Sequence, residues 1–156
     1  MVADATISPT STRPILTRAG RTWLQARHDR ITARLADIEV ELHNERTDQL
    51  VAEHQRLVEQ VEALTQVLRN AVAPADVRDD PSIVEVGDEI EVRFPDGDVE
   101  SFLIVHPVEA GMDEHRTSMD APLAAAVLGR HPGDRVTVTS PAGVYHCTIE
   151  RRTRLE

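Results

Sequence analysis

Six acids crowd residues 37–53 (Asp37, Glu39, Glu41, Glu45, Asp48 and Glu53) against one base, Arg46. Two of them, Glu45 and Asp48, stand three positions apart and can share a hard divalent cation or orient a water if both lie on one turn. That spacing also occurs in many helices with no metal. Residues 13–34 are the reverse, with six arginines (Arg13, Arg18, Arg21, Arg27, Arg30, Arg34) and the single acid Asp29. All 17 bases of the chain are arginine, so every cationic position carries a permanent, fork-shaped donor. The seven histidines (28, 43, 54, 106, 115, 131 and 146) form no HxH or HxxxH pair and are expected to be structural or superficial. Cys147 is the sole cysteine, which leaves no disulfide and no zinc spacing. It falls on one strand face with Tyr145 and Ile149, where an inert thiol is expected. No catalytic residue, intrinsic metal or cofactor emerges from these groups; a magnesium shared by Glu45 and Asp48 is the one metal site left open.

The elements that must position these charges are helical. From Thr17, read as an N-cap, to Ala71 there is no proline, and no glycine after Gly20. Apolar and histidine positions alternate by fours and threes in two seams, Leu24, His28, Ile31, Leu35, Ile38, Leu42 and then Leu50, His54, Leu57, Val61, Leu64, Leu68. The step from Leu42 to Leu50 is one residue too long for a continuous heptad, and the polar run between them offers Asn44 and Asp48 for turn and cap. An antiparallel hairpin folded near residue 46 follows, setting Leu42 against Leu50 and Leu24 against Leu68, with arms of roughly 35 Å. One continuous helix dimerising in trans accounts for the heptads but not for the slip.

Residues 73–81 carry two prolines and three acids and read as a linker. Beyond them the period becomes two. Residues 89–94 and 99–105 flank Pro95-Asp96-Gly97-Asp98 as one β-hairpin; 135–139 and 144–150 flank Ser140-Pro141-Ala142-Gly143 as another. Residues 121–128 between them predict a short helix with Pro122 in its first turn and Asp120 as cap. The fold class is therefore α+β, with a disordered leader over 1–14, a coiled-coil hairpin over 15–72, a linker over 73–81 and a small α+β domain over 82–156. Arg151, Arg152 and Arg154 read as a solvated basic tail.

The net charge of −10, from 27 acids against 17 arginines, excludes sequence-independent nucleic-acid binding through a globally basic surface. Four aromatics (Trp23, Phe94, Phe102, Tyr145) are too few for a base-stacking platform or an aromatic-lined substrate pocket. No apolar run reaches the length of a membrane span, and none marks a signal peptide, so a cytoplasmic protein without membrane contact is expected.

The second domain resembles the Gre transcript-cleavage factors, the bacterial GreA/GreB family. That family carries a Ser-Pro-Leu-Gly-x-Ala-Leu-x-Gly stretch, then Gly-Asp, a valine-rich strand and a Thr-Pro-x-Gly turn. Here residues Asp120-Ala121-Pro122-Leu123 through Gly129, then Gly133-Asp134-Arg135-Val136-Thr137-Val138, then Ser140-Pro141-Ala142-Gly143 correspond, preceded by Val86-Gly87-Asp88-Glu89-Ile90 and Phe94-Pro95-Asp96-Gly97. The resemblance implies an FKBP-like C-terminal domain that docks on RNA polymerase at the rim of its secondary channel, with Asp120, Pro122, Leu123, Gly129, Gly133 and Asp134 as the docking motif. It further implies a coiled coil inserted into the channel, its tip residues Glu41, Glu45 and Asp48 facing the polymerase active centre and its basic surface formed by Arg18, Arg21, Arg27, Arg30 and Arg34.

Cleavage-competent relatives carry Asp-Leu-x-Glu-Asn at the tip, whereas this tip reads Asn44-Glu45-Arg46-Thr47-Asp48-Gln49. The coil is also about ten residues shorter, which removes roughly 7 Å of reach per arm. The expected function is a non-cleaving, Gre-like or Rnk-type regulator that binds polymerase as a monomer and inhibits or otherwise modulates transcription. Contact with RNA or DNA would be indirect, and any RNA hydrolysis would be the polymerase's own. The rivals are a cleavage-stimulating elongation factor, a coiled-coil adaptor and an FKBP-like prolyl isomerase.

Overall fold

A computed structural model describes residues 13–77 and 79–154. Most of the expected leader, residues 1–12, lies outside the described residues, as do Arg78, Leu155 and Glu156. The chain divides into two compact units: Ala19–Ala71 forms one, and the described residues 13–18 with 72–154 form the other.

The first unit is helical. Helix α1 spans Arg18–Asn44 and α2 spans Asp48–Asn70. Four cross-helix contacts establish an antiparallel pair: Arg21 with Ala71, His28 with Thr65, Arg34 with Glu53 and Glu39 with His54. Each pair straddles residue 46, as the seam slip predicts. Leu24, Ile38, Leu57, Leu64 and Leu68 are buried. The other seam positions, His28, Ile31, Leu35, Leu42, Leu50, His54 and Val61, are half-buried. The seam histidines serve packing: His28 Nε2 lies 3.1 Å from Thr65 Oγ1.

The second unit is a five-stranded sheet ordered β3-β2-β1-β5-β4. Strands β1 (Asp88–Arg93) and β2 (Val99–Val105) form the first hairpin, and β4 (Arg135–Ser140) and β5 (Gly143–Arg154) the second. Helix α3 (Pro122–Val127) supplies Ala124 and Val127 to a core built with Val84, Ile90, Val92, Phe102, Ile104, Val136, Val138, Cys147 and Ile149. The period-two pattern thus places one face of β1, β4 and β5 inward, each large side chain contributing about 1.5–3 kcal/mol. Leu103 and Val105 on the opposite face are buried too, so β2 is covered on both sides.

Several expectations change. Strand β3 (Arg116–Ser118), which pairs parallel to β2, gave no alternation to read. The helix 122–127 has Ala121, not Asp120, at its N-cap, and no side chain caps it; Asp120 follows the tight turn in which its N–H donates to Ser118 Oγ at 3.2 Å. Helix α2 is capped by Thr47 rather than Asn44 or Asp48. Thr17, just before α1, reaches a distant acid: its hydroxyl donates to Glu109 Oε1 at 2.6 Å while its N–H donates to Oε2 at 2.8 Å. In the segment 73–81, Pro74–Asp76 form a 3₁₀ turn with Pro74 buried.

The largest correction is the arginine tail. Residues 151–154 continue β5 against β1, with Asp88 opposite Arg154 and Ile90 opposite Arg152. Asp88 is fully buried, and its carboxylate receives Arg152 Nε at 2.8 Å, Arg152 Nη2 at 2.9 Å and Arg154 Nη1 at 3.1 Å. Only Arg151 stays exposed, paired with Glu91. These arginines close the domain by satisfying a buried acid, which sequence composition does not reveal.

Candidate functional site

Two sets of residues carry the functional expectations: the turn of the helical unit and the α3 region of the sheet domain. At the turn, α1 ends at Asn44, and the N–H of Glu45 still donates to the carbonyl of Glu41 at 2.8 Å. Glu45, Arg46 and Thr47 make the connection. Thr47 then caps α2, its Oγ1 accepting the Leu50 N–H at 3.2 Å. Asp48 is the first helical residue, where its carboxylate meets the positive end of the helix dipole. Glu45 and Asp48 are both exposed.

Glu41 is different, because Arg34 Nη1 donates to its Oε1 at 2.8 Å. The same guanidinium reaches across to α2, with Nε 3.0 Å and Nη2 3.3 Å from the carboxylate of Glu53. This shared contact holds the Glu53 carboxyl below its usual range and raises the Arg34 guanidinium further. The arrangement leaves Glu45 and Asp48 as the presented acids while Glu41 is neutralised. Among the described residues no group of three or more His, Cys, Asp or Glu is placed to hold a metal ion. Arg34 as a bridge and Thr47 as a cap were both missed in sequence; the Thr-Asp-x-Leu order at 47–50 carries the cap signal.

Of the basic surface, Arg18, Arg21, Arg27 and Arg30 are exposed and Arg34 is half-buried. Arg21 Nη2 donates to the carbonyl of Ala71 at 3.2 Å and so closes the C-terminal end of α2. The segregated charge therefore serves two ends: arginines at 21 and 34 lock the pair together, while those at 27 and 30 face solvent.

In the sheet domain the six motif residues separate by role. Asp120 and Pro122 are exposed at the start of α3, and Leu123 is half-buried against the core. Gly129 and Gly133 adopt positive φ of 79° and 96°. The Asp134 carboxylate accepts the His131 N–H at 2.9 Å, which lowers its pKa, and Gly133 N–H and Asp134 C=O both pair with Ile149. Gly129, Gly133 and Asp134 thus build the connection from α3 to β4, and Asp120, Pro122 and Leu123 form its accessible front. Cys147 is buried, its thiol pKa raised by desolvation.

A two-helix antiparallel coil followed in sequence by a mixed α+β sheet domain defines a class of coiled-coil protein. Residues 79–151 match the family described as "Transcription elongation factor, GreA/GreB, C-term". The likeness to that family lies in this domain. It is 40% identical over 93 residues to the transcription elongation factor GreA of Oceanobacillus iheyensis, covering 58% of this chain and 59% of that protein. The GreA of Geobacillus kaustophilus is 37% identical over 84 residues, 53% of each chain. The match thus spans little more than half the length of these relatives. Among solved structures, GreA factor homolog 1 (Gfh1) of Thermus thermophilus aligns over 91% of this chain and 99% of that chain, at 23% identity and a TM-score of 0.41. No helix among the described residues is long and apolar enough to cross a membrane.

Proposed function

We propose that this protein is a GreA/GreB-type transcription factor that binds RNA polymerase through the accessible front of its sheet domain, Asp120, Pro122 and Leu123. It occupies the secondary channel with its helical hairpin and restrains transcription without promoting efficient RNA cleavage. The observation that carries the non-cleaving reading is the turn itself. Its acids are Glu45, ahead of the connection, and Asp48, inside the first turn of α2, while Glu41 is committed to Arg34.

Arms of 27 and 23 residues set a reach of about 35–40 Å. A carboxylate short of the catalytic ion by even one turn, about 5 Å, lies far outside metal-ligand distance. Occupation of the channel, rather than completion of a metal site, is then what the hairpin can accomplish.

The experiment is binding of the full chain to core RNA polymerase by size-exclusion chromatography. Binding of the wild-type protein, weakened by Asp120→Ala with Pro122→Ala, supports the docking role. Equal binding by both overturns that role, and no binding by either overturns the polymerase reading. The same complex, backtracked, is expected to keep its RNA length when the protein is added.

A further inference from the structure

The sheet domain carries a groove that extends well beyond the α3 front. Phe94, just after β1, and Tyr145 in β5 stand with ring centroids 6.0 Å apart and planes tilted by 38°. They floor an open cleft of about 470 Å³ together with Pro95, Asp96, Asp98 and Glu100. A second cleft of about 510 Å³ shares Phe94 and Glu100 and continues past Glu114 to Phe102 and Leu123. The two clefts adjoin at Phe94 and Glu100, and the second reaches Leu123 in the first turn of α3.

The groove's electrostatic character is one-sided. Asp96, Asp98, Glu100 and Glu114 line it, and among the described residues no arginine or histidine does. The nearest arginine of β1, Arg93, is turned to Glu150 and to the carbonyl of Gly97. The rim is also built in advance: Asp96 Oδ1 accepts the Asp98 N–H at 2.9 Å, and Phe94 N–H donates to the Asp98 carbonyl at 2.8 Å. Aromatic faces beside carboxylates, without competing cations, are complementary to a guanidinium or ammonium: the ring quadrupole attracts the cation and the acids pair with it. Preorganised walls lower the ordering cost of binding.

We propose that this groove is the seat of an arginine- or lysine-bearing segment of the partner protein, its cationic side chain laid on Phe94 and Tyr145 and paired with Asp98 and Glu100. The inference rests on the polymerase reading for the partner's identity, since the groove ends at Leu123, beside the proposed docking front. It adds a second anchor of opposite chemistry: an apolar contact at Leu123 and a cation seat at the β1–β2 turn.

The test is titration of the isotopically labelled full chain with a hexaarginine peptide at physiological ionic strength, followed by amide chemical shifts. Shifts centred on residues 94–100 and 145 are expected, with affinity reduced at least fivefold in Asp98→Asn/Glu100→Gln and in Tyr145→Ala, and unchanged in Glu45→Gln. Shifts centred on the hairpin acids, or equal affinity in the groove variants, overturn the proposal. Because Tyr145→Ala removes packing, the surface pair Asp98→Asn/Glu100→Gln decides if that variant does not fold. Core polymerase is then expected to displace the peptide and to bind the same pair variant at least fivefold more weakly; undiminished binding overturns the groove as its seat. If the wild-type protein binds no polymerase at all, the polymerase reading falls, and the peptide titration still decides the groove.

Discussion

Arg34 of α1 and Glu53 of α2 face each other across the helical pair, with Nε of one donating to Oε1 of the other at 3.0 Å. This contact lowers the Glu53 pKa from its ordinary value of 4.5. A carboxyl with a depressed folded-state pKa contributes stability that is fully present above its unfolded value and is lost as pH falls through the folded value. Helix content followed by circular dichroism is therefore expected to melt at lower temperature once pH drops below 4.5. Glu53→Gln lowers the melting temperature at pH 7 and flattens that acid dependence; an unchanged slope would remove Arg34 and Glu53 from the account of how the helices are locked.

The Asp88 cluster makes a sharper demand. The Asp88 side chain is fully buried and that of Arg152 is 7% exposed. Removing one partner strands the other's charge, which costs about 3–5 kcal/mol in buried pairs. Asp88→Ala is expected to destabilise the sheet domain by about that much in urea unfolding, whereas Arg151→Ala, at the exposed end of the same strand, is expected to change stability by less than about 1 kcal/mol. Equal effects would mean that the arginines do not close the domain through Asp88.

Two glycines separate backbone strain from steric collision. Gly87 and Gly133 both adopt φ of 96°. A Cβ at Gly133 would meet nothing within 4 Å, but at Gly87 it would lie 3.0 Å from Cβ and from Cγ of Pro74. Gly133→Ala is expected to cost about 1–2 kcal/mol from conformation alone. Gly87→Ala costs more, because the 3₁₀ turn at Pro74 must also shift. Thermal denaturation of the two variants side by side ranks them.

Thr17 and Glu109 supply a third check on the sheet domain. Glu109 is fully buried, accepts both the N–H and the hydroxyl of Thr17, and receives Arg116 Nε at 3.3 Å. Thr17→Val keeps the shape and the N–H bond but deletes the hydroxyl donor to a charged acceptor, an expected loss of about 1.5–3 kcal/mol in chemical denaturation. No measurable loss would show that the hydroxyl bond adds nothing beyond the backbone contact.

The helical pair was legible because its signal is periodic and local: seams broken once, at a polar run, dictate where the chain folds back. The two β-hairpins were legible for the same reason, through alternation around Pro95-Asp96-Gly97 and around Pro141-Ala142. What escaped reading depends on distant partners. Arg152 looks like a solvated tail until Asp88, 64 positions earlier, is placed beside it. Residues 116–118 become a strand only because β2 offers an edge. Thr17 has the right residue type for a cap, but its tie to a buried carboxylate 92 positions away cannot be read from local sequence. The same limit applied to the site: the acids of the turn stand where the seam puts them, but Glu41's engagement by Arg34 needed both helices in view. The groove of Phe94 and Tyr145 joins residues from strands that sequence order keeps apart.

The hairpin is proposed to occupy the polymerase channel without completing a cleavage site. The direct measurement adds the purified protein to a stalled, backtracked elongation complex carrying 5′-labelled RNA, and follows RNA length before and after fresh nucleotides. Unchanged RNA with slowed extension is the predicted result. RNA that shortens, can be re-extended, and stops shortening with Glu45→Ala would contradict the claim and identify a cleavage-stimulating factor.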